Sequence, residues 1–241
     1  MDYSKKNWMI AINGSIGHKE KLFQVDKLFL ESGNIYSLIG KNGSGKSTLI
    51  KSIVGLIPVL YGEILINNQR ISGLRRIDRS RLMSVVHSKI YHEDFISVKE
   101  LVQLGRAPHT NIFNRLTRLD NQIVERSLEM FNLTAISTKF IGEISDGERQ
   151  LADLARCIAQ ETKIIILDEP TSSLDYTNKT KIFDILQSIS RELNKLIVLS
   201  SHDIDLSIDF SDQIIGIDAI KQELKIYNPL YSKEEIIQHI F

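Results

Sequence analysis

Short apolar, β-branched runs alternate along this chain with segments whose apolar positions recur at helical spacing. That is the pattern of an α/β domain built on a largely parallel sheet. The runs predict strands near Trp8 to Asn13, Asn34 to Ile39, Met83 to His87, Lys163 to Leu167, Lys195 to Ser200 and Gln213 to Asp218. Helical spacing predicts helices over Lys46 to Val54, Val98 to Leu104, Asn121 to Phe131, Gly147 to Gln160 and Asn178 to Leu193. The early segments Gln24 to Leu30 and Glu63 to Asn67 read as a small antiparallel sheet beside the parallel one. From Val98 to Phe131 no strand signal occurs, so a helical insertion is expected there. No repeat or linker interrupts the chain.

The stretch GKNGSGKST, Gly40 to Thr48, lies between a predicted strand and a predicted helix. Gly40-x-x-x-x-Gly45-Lys46-Ser47 is a phosphate-binding pattern in the context its mechanism needs. Its glycines allow a curled backbone whose N–H groups point inward at phosphate oxygens, and the following helix adds the positive end of its dipole. The nucleotide-binding set is therefore Gly40, Lys41, Asn42, Gly43, Ser44, Gly45, Lys46, Ser47 and Thr48. Lys46 is expected on the β- and γ-phosphates and Ser47 on Mg²⁺. A glycine-rich turn that merely caps a helix is the bland alternative.

Downstream, IIILDEP, Ile164 to Pro170, is a buried strand ending in two carboxylates. Asp168 is expected to hold the Mg²⁺ shell. Glu169, pointing the other way, is expected to polarise a water for in-line attack on the γ-phosphate.

Composition removes competing classes. Lysine plus arginine equals aspartate plus glutamate, for a formal charge of +0, so no electrostatic footprint points to nucleic acid. Cys157 is the only cysteine, which excludes an internal disulfide and fits a reducing compartment. No apolar run approaches the ~20 residues of a membrane span, and WMIAI is shorter than a signal-peptide core. A cytosolic chain is expected, associated with a membrane only through a partner. The histidines His87, His92 and His109 lack regular metal-ligand spacing and read as solvated loop residues.

The segment ISDGERQ, Ile144 to Gln150, lies between these motifs and leads into a long helix. With it the chain resembles the ATP-binding-cassette (ABC) ATPases, whose signature is usually written LSGGQ. TSSLD, Thr171 to Asp175, resembles the family's D-loop, represented by Ser173 and Asp175, and His202 in LSSHD resembles its switch histidine, a γ-phosphate contact. The resemblance spans nearly the whole chain. It implies one ATPase domain over residues 1–241, with a RecA-like phosphate-loop core, a small antiparallel β subdomain and a helical subdomain over approximately 88–160. It also implies ATP and Mg²⁺ as ligands, and a head-to-tail homodimer. Each ATP would lie between one chain's phosphate loop and the other's signature residues Ser145, Asp146, Gly147 and Glu148.

Three positions depart from the family pattern. An adenine-stacking aromatic is usual near residue 16, where Ile16 is the expected occupant, with His18 as a substitute. His87 stands where the family has a loop glutamine that meets Mg²⁺ and the attacking water. Asp146 and Glu148 replace a glycine and a glutamine, and Ser145-x-x-Glu148 reads as a capping box.

Within the insertion, GRAPHT, followed by a basic stretch and an aspartate that opens a helix, resembles the cassette subunits of iron-siderophore, haem and cobalamin importers. A capping box at Ser97-x-x-Glu100 and a plain loop would account for the same residues. The resemblance implies docking on the coupling helices of an integral permease at the cytoplasmic face of the membrane, and indirectly a substrate-binding protein. An ABC ATPase for another cargo, or a soluble one acting on macromolecules, is the alternative. A phosphate-loop kinase would leave the signature without a purpose, and a GTPase would need a guanine-reading tetrapeptide that the chain lacks.

Overall fold

The computed structural model describes residues 8–87, 94–111, 115–228 and 231–240. Ten strands and eight helices are described: β1 (Met9–Gly17), β2 (Lys21–Glu31), β3 (Ile35–Gly40), α1 (Lys46–Ile53), β4 (Tyr61–Ile66), β5 (Gln69–Arg70), α2 (Arg76–Leu82), β6 (Met83–Val86), α3 (Val98–Gln103), α4 (Arg118–Met130), α5 (Asp146–Ala159), β7 (Ile164–Asp168), α6 (Tyr176–Glu192), β8 (Leu196–Ser200), α7 (Ile204–Phe210), β9 (Gln213–Asp218), β10 (Glu223–Tyr227) and α8 (Lys233–Ile240). Strands β9, β3, β8, β7 and β6 pair in parallel in that order. Strands β1, β2, β4 and β5 form the antiparallel portion. The two portions join through β10, which runs antiparallel to β9 and touches β2 through the single pair Glu223 and Gln24.

The fully apolar strands bury both faces, as parallel strands flanked by helices must. In β7, Ile165 and Leu167 enter the cluster built with α3, α4, α5 and α6, while Ile164 and Ile166 enter the cluster shared with α1 and the antiparallel strands. In β8, Ile197 and Leu199 divide from Leu196 and Val198 in the same way. This strict alternation fixes which way every residue at the strand ends must point.

The helical insertion is held by polar contacts as well as apolar ones. The GRAPHT segment forms a 3₁₀ helix, Leu104–His109, against the end of α5. Gly105 lies on the Arg156 carbonyl, where any Cβ would collide. The buried Arg106 donates to Asp120 Oδ1 at 2.9 Å, to the Ala159 carbonyl at 2.7 Å and to Glu161 at 3.0 Å, so one guanidinium ties α4 to the C-terminus of α5. Asp120 completes a capping box with Thr117, which starts α4 three residues before the expected Asn121. The Ser97 and Glu100 capping box is also present and opens α3. Helices α2, α7 and α8 and strand β10 have no counterpart in the sequence prediction. Each is eight residues or fewer and depends on its neighbours rather than on a long periodic pattern.

Candidate active site

The site is built where β3, β7 and β8 end. Gly45 takes φ 104° as the N-cap of α1 without any side-chain cap, which leaves first-turn N–H groups available to an anion. A Cβ on Gly45 would come within 2.7 Å of Phe23, so the antiparallel portion presses on the loop and demands glycine there. Lys46 Nζ folds back onto the Gly40 carbonyl at 2.7 Å and the Lys41 carbonyl at 3.2 Å. Burial lowers the Lys46 pKa, and the Glu169 and Asp168 carboxylates oppose that shift. Ser44 Oγ is buried and has no hydrogen-bond partner among the described residues. These features fit a bound phosphate chain: free donors, a lysine held only by carbonyls, and an unpaired hydroxyl.

Strand parity directs Asp168. Asp168 follows Ile164 and Ile166 on the face that packs α1, and Ser47 Oγ donates to Asp168 Oδ1 at 3.2 Å. A hydroxyl and a carboxylate oxygen side by side form the hard-oxygen set that suits Mg²⁺. Ser200 is the register partner of Asp168 on the same face of β8, and it donates to the same Oδ1 at 2.6 Å. Ser200 Oγ also accepts the Glu169 N–H at 2.9 Å. Glu169 adopts φ 54°, left-handed for a residue with a Cβ. Its carbonyl accepts from Gln150 Nε2 at 3.1 Å, so both sides of its backbone are held from other elements. Its carboxylate accepts from His202 Nε2 at 2.7 Å. Glu169, His202 and Lys179 line one cavity of about 350 Å³ together with Thr171 and Ser172. Sequence reasoning missed Ser200 and Gln150; the signal for Ser200 was a hydroxyl at the inward parity of an otherwise apolar strand.

His87 directly follows β6, the strand beside β7. Burial lowers its pKa, Lys51 and Arg156 push the same way, and Asp168 opposes them. The ring is therefore held toward its neutral form near the Asp168 carboxylate. His109 instead meets the Gln160 carbonyl at 2.9 Å, and His92 lies outside the described residues.

Ile16 requires a correction. It is 0% exposed and sits in the core shared by α1 and the antiparallel strands, so it has no face to offer adenine. Parity buries it, and the exposed side chains at the β1–β2 turn are His18, Lys19 and Glu20.

The signature segment opens α5. Ser145 Oγ accepts the Glu148 N–H at 3.2 Å and donates to Glu148 Oε2 at 2.7 Å, while Glu148 Oε2 accepts the Ser145 N–H at 2.9 Å. Those bonds hold the Glu148 carboxyl below its usual range. Asp146 is 82% exposed and lies 3.5 Å from Arg149. Gly147 packs beside Leu174, and Gln150 Oε1 accepts the Ser173 N–H at 3.2 Å. Asp175 caps α6 through the Asn178 N–H at 2.9 Å. Signature and D-loop segments thus touch within one chain.

The sequence of residues 23–172 matches the ABC transporter family. The chain belongs to that family. It is an ATP-binding, ATP-hydrolysing cassette. The petrobactin import ATP-binding protein FpuC of Bacillus anthracis is 30% identical over 235 residues, covering 97% of this chain and 86% of that one. The achromobactin transport ATP-binding protein CbrD of Dickeya dadantii is 30% identical over 188 residues, covering 78% and 70%. Among solved structures, an inward-facing chain provisionally described as a metal-chelate type ABC transporter superposes with a TM-score of 0.83 at 27% identity, covering 98% of this cassette and 89% of that chain.

Proposed function

We propose that this cassette energises the import of a metal chelate, working as a homodimer on an integral permease at the cytoplasmic face of the membrane. The observation that carries the cargo class is the likeness to FpuC over 97% of the chain, supported by the metal-chelate type neighbour. The absence of any helix among the described residues long and apolar enough to cross a membrane agrees with a peripheral subunit. A groove lined by Leu56, Arg76, Val85 and His87, between α2 and the end of β6, is the surface we assign to the permease's coupling helix.

In this reading the loop of residues 40–48 holds the triphosphate, with Lys46 leaving the Gly40 carbonyl for the β- and γ-phosphates. Ser47 and Asp168 would hold Mg²⁺, which would neutralise charge on the phosphate oxygens. Glu169 accepts a proton from the attacking water, and His202, already on the Glu169 carboxylate, holds that carboxylate toward the γ-phosphate. Ser145 and Gly147 meet the partner copy's ATP, and Ser173 and Asp175 lie at the same interface. His18 is the residue available to the adenine face. ATP-driven closure of the dimer and its release on hydrolysis transmit the work to the permease.

Purification of the tagged cassette from membranes of its own host tests this. Co-purification of a many-spanning permease, and loss of chelate uptake in a Glu169→Gln strain, are expected. Recovery only in soluble complexes would overturn the transport reading.

A further inference from the structure

A second cavity, about 520 Å³, opens at the opposite end of the parallel strands from the ATP site. Ile123 of α4, Ile158 of α5, Ile165 of β7 and Ile189 of α6 form apolar walls. Lys195, just before β8, lines it together with Lys163 and Arg126, and among the described residues Glu161 is the only acid on its lining. That acid is already committed, because its carboxylate accepts from Arg106 at 3.0 Å. Lys195 Nζ donates to the Thr162 carbonyl, and among the described residues it forms no ion pair. A part-buried ammonium held by a carbonyl is costly when the acid acting on it, Glu161, is shared with Arg106, since its desolvation is then only partly compensated. Nothing in the nucleotide-site reading uses it.

We propose that this cavity binds a small carboxylate with an apolar body, the carboxylate on Lys195 and the hydrocarbon against the isoleucines of α4, α5 and α6. The volume falls within the range of small-molecule pockets, and the combination of apolar walls with a few convergent cations selects this class over a nucleotide or a sugar. The ligand would touch α4 and α5 of the helical insertion and α6 and β8 of the parallel core at once, remote from Ser47 and Asp168, so ATP does not compete with it.

A pH signature follows from the groups that face Lys195. Burial lowers its pKa to about 8, Lys163 pushes the same way, and Glu161 and Cys157 oppose. A bound carboxylate favours the protonated amine. Binding is therefore full below the free pKa, takes up a proton near it, and weakens as pH rises further.

The probe is octanoate, titrated calorimetrically into the full chain with the nucleotide site saturated by Mg–ADP. One site is expected, with affinity about tenfold lower at about pH 9 than at about pH 7, following the protonated fraction of Lys195. Lys195→Met should weaken binding at least about tenfold at the lower pH. Lys195→Arg should keep the affinity and flatten the pH dependence. Equal affinity in wild type and Lys195→Met, or no octanoate binding at millimolar concentration in wild type, overturns the proposal. Should Lys195→Met fail to fold, superimposable pH dependence in wild type and Lys195→Arg overturns it equally.

Discussion

Ser200 donates its hydroxyl proton to Asp168 at 2.6 Å while accepting the Glu169 N–H at 2.9 Å, so one buried side chain on β8 sets the positions of both acids that end β7. If Ser47 and Asp168 were to hold a Mg²⁺, Ser200 would still be there to orient the Asp168 carboxylate. Hydrogen bonds to charged groups contribute about 1.5–3 kcal/mol. Ser200→Ala should therefore raise the Mg²⁺ concentration needed for half-maximal hydrolysis by roughly tenfold or more, with ATP binding in the absence of metal unchanged. A metal titration of ATPase rate reads this directly; an unaltered Mg²⁺ requirement would remove Ser200 from the site.

Glu169 is held by its backbone from both sides and by His202 at its carboxylate. Glu169→Gln preserves the backbone bonds and removes the base. Hydrolysis should fall by about 10²- to 10⁴-fold with ATP affinity little changed, trapping an ATP-bound dimer. Single-turnover rates and sedimentation measure the two halves of that expectation, and near-normal turnover would show another residue activates the water.

For His87, burial places the folded-state pKa below the reference value of about 6.5. The folded state thus binds its proton less readily than the unfolded chain. The stability His87 gives by staying neutral is present above about 6.5 and is lost as pH falls below it. Hydrolysis should also decline on the acid side, because an imidazolium would repel the metal at Asp168, but the decline begins below the reference pKa. The acid limb should flatten in His87→Gln. Coincident profiles of rate against pH in the two proteins would rule out the histidine.

Asp146 stands at the first turn of α5, faces solvent and lies 3.5 Å from Arg149. Its charge favours its own helix but opposes the dipole that should attract the partner's ATP, by about 0.3–1 kcal/mol when exposed. Asp146→Gly should tighten ATP-dependent dimerisation by roughly two- to fivefold and slightly destabilise the monomer. Sedimentation in a Glu169→Gln background decides this, since weaker association would mean that the aspartate assists the interface.

Arg106 and Asp120 form a buried pair with side chains 5% and 8% exposed. The Thr117 hydroxyl is the main cause of an Asp120 carboxyl lowered to about 2, with the Thr117 N–H and Arg106 adding to it. Its contribution to stability is present above the unfolded pKa of about 3.9 and is lost as pH falls toward about 2. Arg106→Met should cost about 3 kcal/mol, because it strands a buried carboxylate and frees the end of α5. Denaturant unfolding near neutral pH measures it, and a change under about 1 kcal/mol would show that the arginine is dispensable.

Local chemistry in the sequence was enough to determine the phosphate loop, the paired acids after a buried apolar run, the capping boxes at Ser97 and Ser145, and the helix–strand alternation. Each depends on residues within one turn or one strand of each other, and spacing alone expresses it. What remained for tertiary structure were facts of register and packing. Ile16 fell on the buried face of β1, Ser200 came level with Asp168 only when β7 and β8 paired, and Gln150 reached Glu169 only when α5 packed against the core. The short elements α2, α7, α8 and β10 have too few residues to propagate alone and take shape from what they pack against. Likewise the burial of Lys195 follows from the meeting of segments far apart in the chain, α4 and the start of β8, and no local pattern records it.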